Sequence, residues 1–220
     1  EHFYAFYDLV IIGGGISGLS AALTAAESGL KILIMEQNSE WGGRCLVDFP
    51  FINEEPGLKY ISRILSELRK YKNVTMRSRM MGAGVYDHGY LLGYERLNDH
   101  LSTNEGPRHR LWRIRAKQII TATGAIERPL SFPGNDIPGI MLASAVRDYA
   151  TNFGVAVGDK VAIFTNNDDA YRTAITLHEI GVTVPVIIDA RLGGGGELAH
   201  HAKELGIRVE NGKAILKVFG

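Results

Sequence analysis

The sequence predicts an α/β fold built from two successive strand–turn–helix–strand units. In the first unit, the apolar run of residues 8–12 leads through a glycine-rich turn into an amphipathic helix, and residues 31–35 form the next apolar run. Residues 159–189 repeat this order. Between the two units, residues 79–117 change to short alternating runs separated by turn residues, which is typical of an antiparallel β-meander. We therefore expect a first domain with an inserted meander and an incomplete second domain, divided near residue 125.

The turn of the first unit carries a glycine pattern with a known mechanism. Gly13, Gly15 and Gly18 form GxGxxG directly after a buried strand and at the start of a helix. The first glycine permits the tight turn, the second lets the backbone approach a pyrophosphate, and the third lets the helix pack closely on the strand. The pyrophosphate is expected on the N–H groups of the helix N-terminus, near Ile16 and Ser17. This is the design of a Rossmann-like FAD/NAD(P)-binding domain.

A carboxylate follows the second strand of the first unit. Glu36 lies about twenty residues after the glycines, where it can accept both hydrogen bonds of an adenosine ribose. Gln37 and Asn38 follow it without an arginine, and a carboxylate repels a 2′-phosphate. NADP is therefore disfavoured at this site.

Two further segments complete the expected dinucleotide site. Thr123 and Gly124 end a strand, residues 118–123, that we expect to be buried beside the first strand with its end close to the adenine. Gly43 belongs to a glycine pair that lets the backbone pass close to the first helix N-terminus. Its neighbour Arg44 either pairs with a phosphate or ribose or is an ordinary solvated arginine, and the residue types leave both interpretations open.

The second unit lacks the glycines of the first. Where a second dinucleotide loop would show GxGxxG, residues 165–170 read Thr-Asn-Asn-Asp-Asp-Ala. Asp168 and Asp169 are expected to cap the following helix and to repel an anion, so this Rossmann-like module is degenerate and binds no nucleotide. Pro185 predicts an edge or a bulge in the last strand, and Asn211-Gly212 predicts the start of a further strand.

Composition limits the classes of function. The 220 residues carry 24 basic and 24 acidic side chains, and this zero net charge gives no reason to expect a nucleic-acid partner. The single Cys45 excludes an internal disulfide and the two-thiol chemistry of a disulfide reductase. Without a signal peptide or a long apolar run, we expect a cytoplasmic protein with no membrane partner.

No catalytic constellation stands out from the sequence. GxSxG, HExxH and Walker A patterns are lacking, and the adjacent His200 and His201 point about 100° apart on a helix. We therefore expect no catalytic residue and no metal site in this chain. Since the chain starts with Glu1 and stops just after a strand-like stretch, we also expect it to be a piece of something longer.

Three stretches resemble one protein family. They are VYDHGYLLGYERLNDHL at residues 85–101, residues 107–149, and IFTNNDDAYRTAITL at residues 163–177. These stretches closely resemble the alpha subunits of heterotetrameric sarcosine oxidases, and the third contains the very loop that departs from the nucleotide-binding pattern. Alpha subunits of hydrogen cyanide synthase, opine oxidase and dye-linked proline dehydrogenase are similar relatives.

The resemblance implies a place in a flavoprotein complex. In this family sarcosine reacts with oxygen to give glycine and hydrogen peroxide and, with tetrahydrofolate, 5,10-methylenetetrahydrofolate. The amine is oxidised at FAD in a beta subunit, FMN lies near the alpha–beta interface, and small subunits complete the heterotetramer. The alpha subunit holds NAD on its N-terminal glycine motif, and its folate site lies in a separate domain with no counterpart here. Carried over to this sequence, the NAD site comprises Gly13, Gly15, Gly18 and Glu36, with Thr123 and Gly124 beside them.

The residues alone leave two alternatives open. NAD and FAD share the same adenosine diphosphate half, so the glycine motif does not distinguish them. An independent FAD-dependent pyridine-nucleotide oxidoreductase is the second interpretation of a two-module chain. It requires the loop at residues 166–169 to accept a pyrophosphate, which the carboxylates there oppose.

Overall fold

The structure, a computed structural model, describes residues 2–102 and 106–219. The chain divides into two compact units, residues 1–125 and residues 126–220. Within the described residues, no helix has the length and apolar character needed to pass through a bilayer.

The first unit is organised by a six-stranded sheet. The strands of the unit are β1 (His2–Ile12), β2 (Ile32–Met35), β3 (Phe51–Ile52), β4 (Glu55–Pro56), β5 (Val74–Arg77), β6 (Met80–Tyr86), β7 (Tyr90–Arg96) and β8 (His109–Thr121). The helices are α1 (Ile16–Ala26), α2 (Cys45–Asp48) and α3 (Gly57–Leu68), with a 3₁₀ turn at Asp87–Gly89. The sheet order is β5-β2-β1-β8-β7-β6, and β3 and β4 form a separate hairpin.

The parallel half of this sheet has the predicted strand–turn–helix order. β1 pairs in parallel with β2 and β8, and β2 pairs in parallel with β5. Helix α3 forms an amphipathic helix because Ile61, Ile64 and Leu68 recur at helical spacing and are buried, whereas Lys59 is exposed. These side chains pack with Leu19 of α1 in one hydrophobic core that also includes residues of β1 and β2. The glycine turn is therefore held between a buried strand and a packed helix.

The meander is antiparallel, as predicted, but it is continuous with the parallel half. β8 is one 13-residue strand that pairs antiparallel with β7 and parallel with β1. The first strand consequently begins at His2, six residues before the expected Asp8, because it follows β8 into the meander. The expectation that residues 118–123 form a buried strand is wrong, because β8 ends at Thr121 and none of these residues is buried. Ile120, for example, is 39% exposed. The pairing of β8 with β7 ends at Arg115, so Ile120 lies in the part of β8 that β7 does not cover.

The second unit has a smaller parallel sheet. Its strands are β9 (Ile163–Thr165), β10 (Val186–Asp189) and β11 (Arg208–Asn211), in the order β11-β10-β9. Its helices are α4 (Ala143–Phe153), α5 (Asp169–Glu179) and α6 (Gly196–Glu204). Tyr171, Ala174 and Leu177 of α5 and Ile187 of β10 are fully buried in its core.

Two strand predictions for the second unit are wrong. Pro185 lies just before β10, the central strand, and not in an edge or a bulge, because a proline without an N–H is tolerated before the ladder begins. Residues 213–219 form no strand. The N–H of Lys213 donates to the carbonyl of Asp189 and that of Val218 to Pro133, so these donors make single contacts instead of a ladder.

Candidate nucleotide-binding site

Two glycines of the turn are required by the packing of the protein itself. Gly13 has φ +111°, a left-handed conformation that favours glycine, and a Cβ there would overlap the carbonyl oxygen of Ala122. A Cβ on Gly18 would overlap the carbonyl oxygen of Gly13 and would touch the Ala122 side chain. The turn and the start of α1 are therefore packed backbone to backbone against the end of β8.

Gly15 has no such requirement. Its backbone angles, φ −75° and ψ −177°, are open to any residue, and a Cβ there would meet only the Cα of Gly43, at 4.0 Å. Nothing in the described protein fills the space beside this glycine. The residue therefore fits a backbone that a ligand approaches closely, which is the role predicted for the second glycine of the motif.

The N-terminus of α1 offers unused hydrogen-bond donors. Gly15 is the N-cap, no side chain caps the helix, and its first turn contains no acidic residue. Among the described residues, the N–H groups of Gly15, Ser17 and Gly18 have no acceptor. Ser17 is exposed, whereas Ile16 packs against the hydrophobic core under the helix. The positive end of α1 is thus open to an anion.

Glu36 is fixed beside the turn. Only 5% of the residue is exposed, and its carboxylate accepts the N–H of Gly14 and the N–H of Asn38, each at 2.8 Å. Each oxygen accepts one of these bonds, so each keeps acceptor capacity for a further donor. The next residue, Gln37, is exposed, and its carbonyl oxygen accepts a hydrogen bond from Arg96 at 2.9 Å. Glu36 is held in position with acceptor capacity to spare.

A second loop supports the turn from the other side. The N–H of Gly42 donates to the carbonyl of Gly14 at 2.9 Å, and Gly15 and Gly42 form a parallel bridge. The ring of Trp41 occupies the place that a Cβ on Gly14 would need. This explains why Gly14, between the two motif glycines, is also a glycine. The loop holds the backbone of the turn in one position.

The remaining predicted site residues lie at the rim. Arg44 is on the surface and pairs with Asp48 at 2.7 Å. Thr123 and Gly124 are exposed beyond the end of β8. The residue that meets the glycine turn is Ala122, which the sequence interpretation missed. The feature of the sequence that could have indicated this contact is the small side chain of Ala122 at the end of the strand.

In the second unit, the corresponding helix start is occupied by side chains. The side-chain oxygen of Asn167 accepts the N–H of Asp169 at 3.0 Å, so Asn167 caps this end. The prediction that both carboxylates cap α5 is wrong. Asp168 instead accepts the N–H of Gly195 at 2.8 Å and pairs with Arg191 at 2.7 Å, and Asp169 pairs with a buried arginine of α4. Both carboxylates still lie at the start of the helix, where an anion would have to bind.

Asp189 is the second unit's counterpart of Glu36. It is the last residue of β10, and Glu36 directly follows β2. Asp189 is fully buried and accepts hydrogen bonds from the Tyr171 hydroxyl at 2.8 Å and from the Arg191 guanidinium at 2.7 Å. Burial would raise the pKa of Asp189, but the hydrogen bonds from Arg191 and Tyr171 outweigh it and hold the pKa below its usual value. The hydrogen bond from Arg191 likewise lowers the pKa of Asp168. The Arg191 guanidinium therefore bridges the carboxylates of Asp168 and Asp189. Asp189, the acidic residue that would have to accept the hydroxyls of a ribose, is already paired within the chain.

The histidine, cysteine and acidic side chains of the described residues are the candidates for a metal site or a reactive thiol. No group of three or more histidine, cysteine, aspartate and glutamate side chains within them could hold a metal ion. His200 and His201 both lie beside Glu204, at 3.2 and 3.6 Å. Cys45 is buried, and this burial raises the pKa of its thiol, which favours the protonated form.

Comparison with known proteins identifies a family and several relatives. The sequence model of the family described as pyridine nucleotide-disulphide oxidoreductase matches residues 7–218. The chain is 40% identical over 197 residues to sarcosine oxidase subunit alpha of Rhizobium meliloti (strain 1021), covering 89% of this chain and 20% of that protein. It is 36% identical over 221 residues to the subunit of the same name from Corynebacterium sp. (strain P-1), covering 98% and 22%. The chain thus spans about a fifth of the length of these curated relatives.

Solved structures show the same fold. L-Proline dehydrogenase from P. horikoshii matches with a TM-score of 0.68 at 24% identity, over 86% of this chain and 36% of that one. Thioredoxin reductase from Lactococcus lactis matches with a TM-score of 0.66 at 24% identity, over 97% and 67%. The predicted Rossmann-like α/β class and the resemblance to sarcosine oxidase alpha subunits are both confirmed.

Proposed function

Because the chain belongs to the pyridine nucleotide-disulphide oxidoreductase family, we propose that its first unit holds the adenosine diphosphate half of NAD at the glycine turn. The observation that supports this most directly is the open space beside Gly15, which no contact among the described residues explains. The pyrophosphate would lie on the free N–H groups at the start of α1. Glu36 would accept the hydroxyls of the adenosine ribose with its remaining lone pairs.

NAD is chosen over FAD because of the resemblance to sarcosine oxidase alpha subunits. The adenosine diphosphate contacts described above are the same for both nucleotides, so FAD is the alternative occupant. NADP is disfavoured, since its 2′-phosphate would meet the nearly buried carboxylate of Glu36.

We assign the chain to the alpha subunit of a sarcosine oxidase-like amine oxidase, in which a flavin-bearing partner subunit oxidises the amine. The similarity to curated proteins of that name supports this assignment. In such a complex FMN and FAD would belong to the assembly, while the residues described here bind and orient NAD. When bound, NAD supplies a nicotinamide ring that can accept or donate a hydride. The cytoplasmic location expected from the sequence stays a prediction.

A direct test is to denature the purified protein and identify the released nucleotide by mass spectrometry. We expect NAD, and we expect its amount to fall in Gly15→Ala but not in Gly158→Ala. Gly158 is a matched control because a Cβ there meets no atom within 4 Å and the residue lies in the second unit. Absence of any dinucleotide would contradict the proposal. Purification of the chain with a flavin-bearing partner, and peroxide release from sarcosine by that complex, would test the assignment to an amine oxidase.

The second candidate is an independent FAD-dependent oxidoreductase that uses a reduced nicotinamide at the second unit. The likeness to thioredoxin reductase over 97% of the chain favours it. The contacts of Asp168, Asp189 and Arg191 speak against it, because they close the place where the nicotinamide nucleotide would bind. A yellow protein that oxidises a reduced nicotinamide would establish this candidate instead.

A further inference from the structure

One face of the first unit's sheet, where β1, β8 and β7 lie side by side, carries large aromatic and basic side chains. The register places Tyr4 opposite Arg113, and Phe6 and Tyr90 on either side of Arg115, so these residues share one face. The alternate residues Trp112 and Ile114 point to the buried core on the other side. We name this surface the arginine–tyrosine face, and its members are Tyr4, Phe6, Tyr90, Arg113 and Arg115.

The arginine–tyrosine face exposes large aromatic rings. Tyr4 is 73% exposed and Phe6 is 50% exposed, although strand alternation would normally place polar residues here. With Ala5 and the other members they line a shallow groove of about 500 Å³. Single exposed apolar residues need no explanation, but a contiguous group of aromatic rings is typical of an interaction surface.

The two arginines of this face are held in place by aromatic rings and hydrogen bonds. The Arg113 guanidinium lies 5.5 Å from the centre of the Tyr4 ring and donates to its hydroxyl at 2.8 Å. The Arg115 guanidinium lies 5.1 Å from the centre of the Tyr90 ring and donates to the carbonyl of His88 at 3.1 Å. Among the described residues, no carboxylate lies within 4 Å of either guanidinium. Both cations are thus oriented by aromatic neighbours, and neither forms an ion pair with a carboxylate of the described residues.

We infer that the arginine–tyrosine face docks a carboxylate-rich segment of a partner polypeptide. Arginine and tyrosine are enriched in the centres of protein interfaces, where aromatic rings supply area and guanidinium groups bind carboxylates through two parallel hydrogen bonds. Guanidinium groups already supported by rings lose little conformational freedom when a carboxylate binds. This inference rests on the proposed function, because the partner is another subunit of the amine oxidase complex.

The test uses the purified complex with a photo-crosslinking benzoylphenylalanine in place of Tyr4. The matched control carries the same group in place of Lys59, an exposed residue of α3. We expect the Tyr4 position to crosslink to a partner segment rich in aspartate and glutamate, identified by peptide mass, and the Lys59 position not to reach that segment. The double variant Arg113→Glu/Arg115→Glu should weaken retention of the partner by about 30-fold or more, whereas Arg113→Lys/Arg115→Lys should retain most of it.

The outcomes separate this inference from the proposed function. If the complex forms and the Tyr4 position crosslinks to no partner, or to a segment without acidic residues, the docking inference is overturned and the proposed function stands. Crosslinking between two copies of this chain would also overturn it. If NAD is bound but no partner subunit is recovered with the unsubstituted protein, both the assignment to a complex and the docking inference fail. Retained NAD and an unchanged melting temperature would show that the charge-reversed variant is folded.

Discussion

Replacement of Gly15 by alanine separates ligand binding from folding. In the structure the added methyl group would meet only the Cα of Gly43, at 4.0 Å, which is an ordinary van der Waals contact. An alanine N-cap costs up to about 1 kcal/mol relative to glycine. Alanine also reduces the conformational entropy of the unfolded chain, which stabilises the folded protein by about 0.4–1 kcal/mol. We therefore expect the free energy of unfolding of the apoprotein to change by less than about 1 kcal/mol.

The same methyl group would lie where the pyrophosphate approaches the backbone. Forcing a methyl group into a close contact costs about 1–3 kcal/mol, and about 1.4 kcal/mol corresponds to a tenfold change in Kd. Titration of the apoprotein with NAD in a calorimeter should therefore give a Kd about 5-fold to 140-fold higher for Gly15→Ala. An unchanged Kd would refute the placement of the ligand over Gly15, and an unfolded variant would refute the claim that the space is free of protein.

A control variant at another motif glycine should behave in the opposite way. Gly18→Ala would force its Cβ into the carbonyl oxygen of Gly13, a backbone atom that cannot move without disturbing the turn. We expect the free energy of unfolding to fall by about 1–3 kcal/mol, with a lower melting temperature in the absence of any nucleotide. The contrast between the two alanine variants, measured on apoprotein by thermal unfolding, isolates the role of each glycine.

Three further predictions concern other residues. Glu36→Gln should weaken NAD binding and should narrow the difference in Kd between NAD and NADP, because the carboxylate that repels a 2′-phosphate is removed; calorimetric titrations with both nucleotides measure this. Arg191→Met should lower the free energy of unfolding by about 3 kcal/mol at pH 7, since it leaves the carboxylate of Asp189 buried without its charge partner. The loss should shrink as the pH falls towards about 4. Without Arg191, burial raises the pKa of Asp189, so the variant takes up a proton there and its buried charge disappears. In the wild type the pKa of Asp189 is held below its usual value and the ion pair persists, so urea unfolding of both proteins across this pH range tests the prediction. Cys45 should react with a thiol reagent only after unfolding, because burial shields it and raises the pKa of its thiol, and a rapid reaction of the native protein would contradict this.

The parts of the fold that depend on local pattern could be predicted from the sequence. The glycine spacing, the apolar run before it and the carboxylate after the second strand predicted the turn, the strand and Glu36 together, because each has a local geometric reason. Helix α3 could be predicted from the periodicity of its apolar residues. These features need no knowledge of which strands become neighbours.

The features that depend on distant contacts could not be predicted in this way. The length of β1 follows from its pairing with β8, more than a hundred residues later, and nothing local to His2 indicates that pairing. The Trp41 ring packs against Gly14, and Ala122 contacts Gly13 of the turn. Both contacts join residues that are far apart in the sequence. The bridge formed by Arg191 between two carboxylates could not be read from charge alone, since an arginine two residues after an aspartate is also common on an exposed surface.

The two units share the strand–turn–helix fold but differ in how their polar groups are paired. Both units place an acidic residue at the end of the second strand and a helix N-terminus after the first. In the first unit the carboxylate holds backbone N–H groups and the helix end stays open, so favourable electrostatics remain available to an anion from outside. In the second unit Arg191 pairs with Asp189 and Asp168, and a ligand that displaced Arg191 would leave the buried carboxylate of Asp189 without its charge partner. We therefore expect the same fold to bind a ligand where its polar groups are left unpaired and to serve as a structural support where they are paired within the chain.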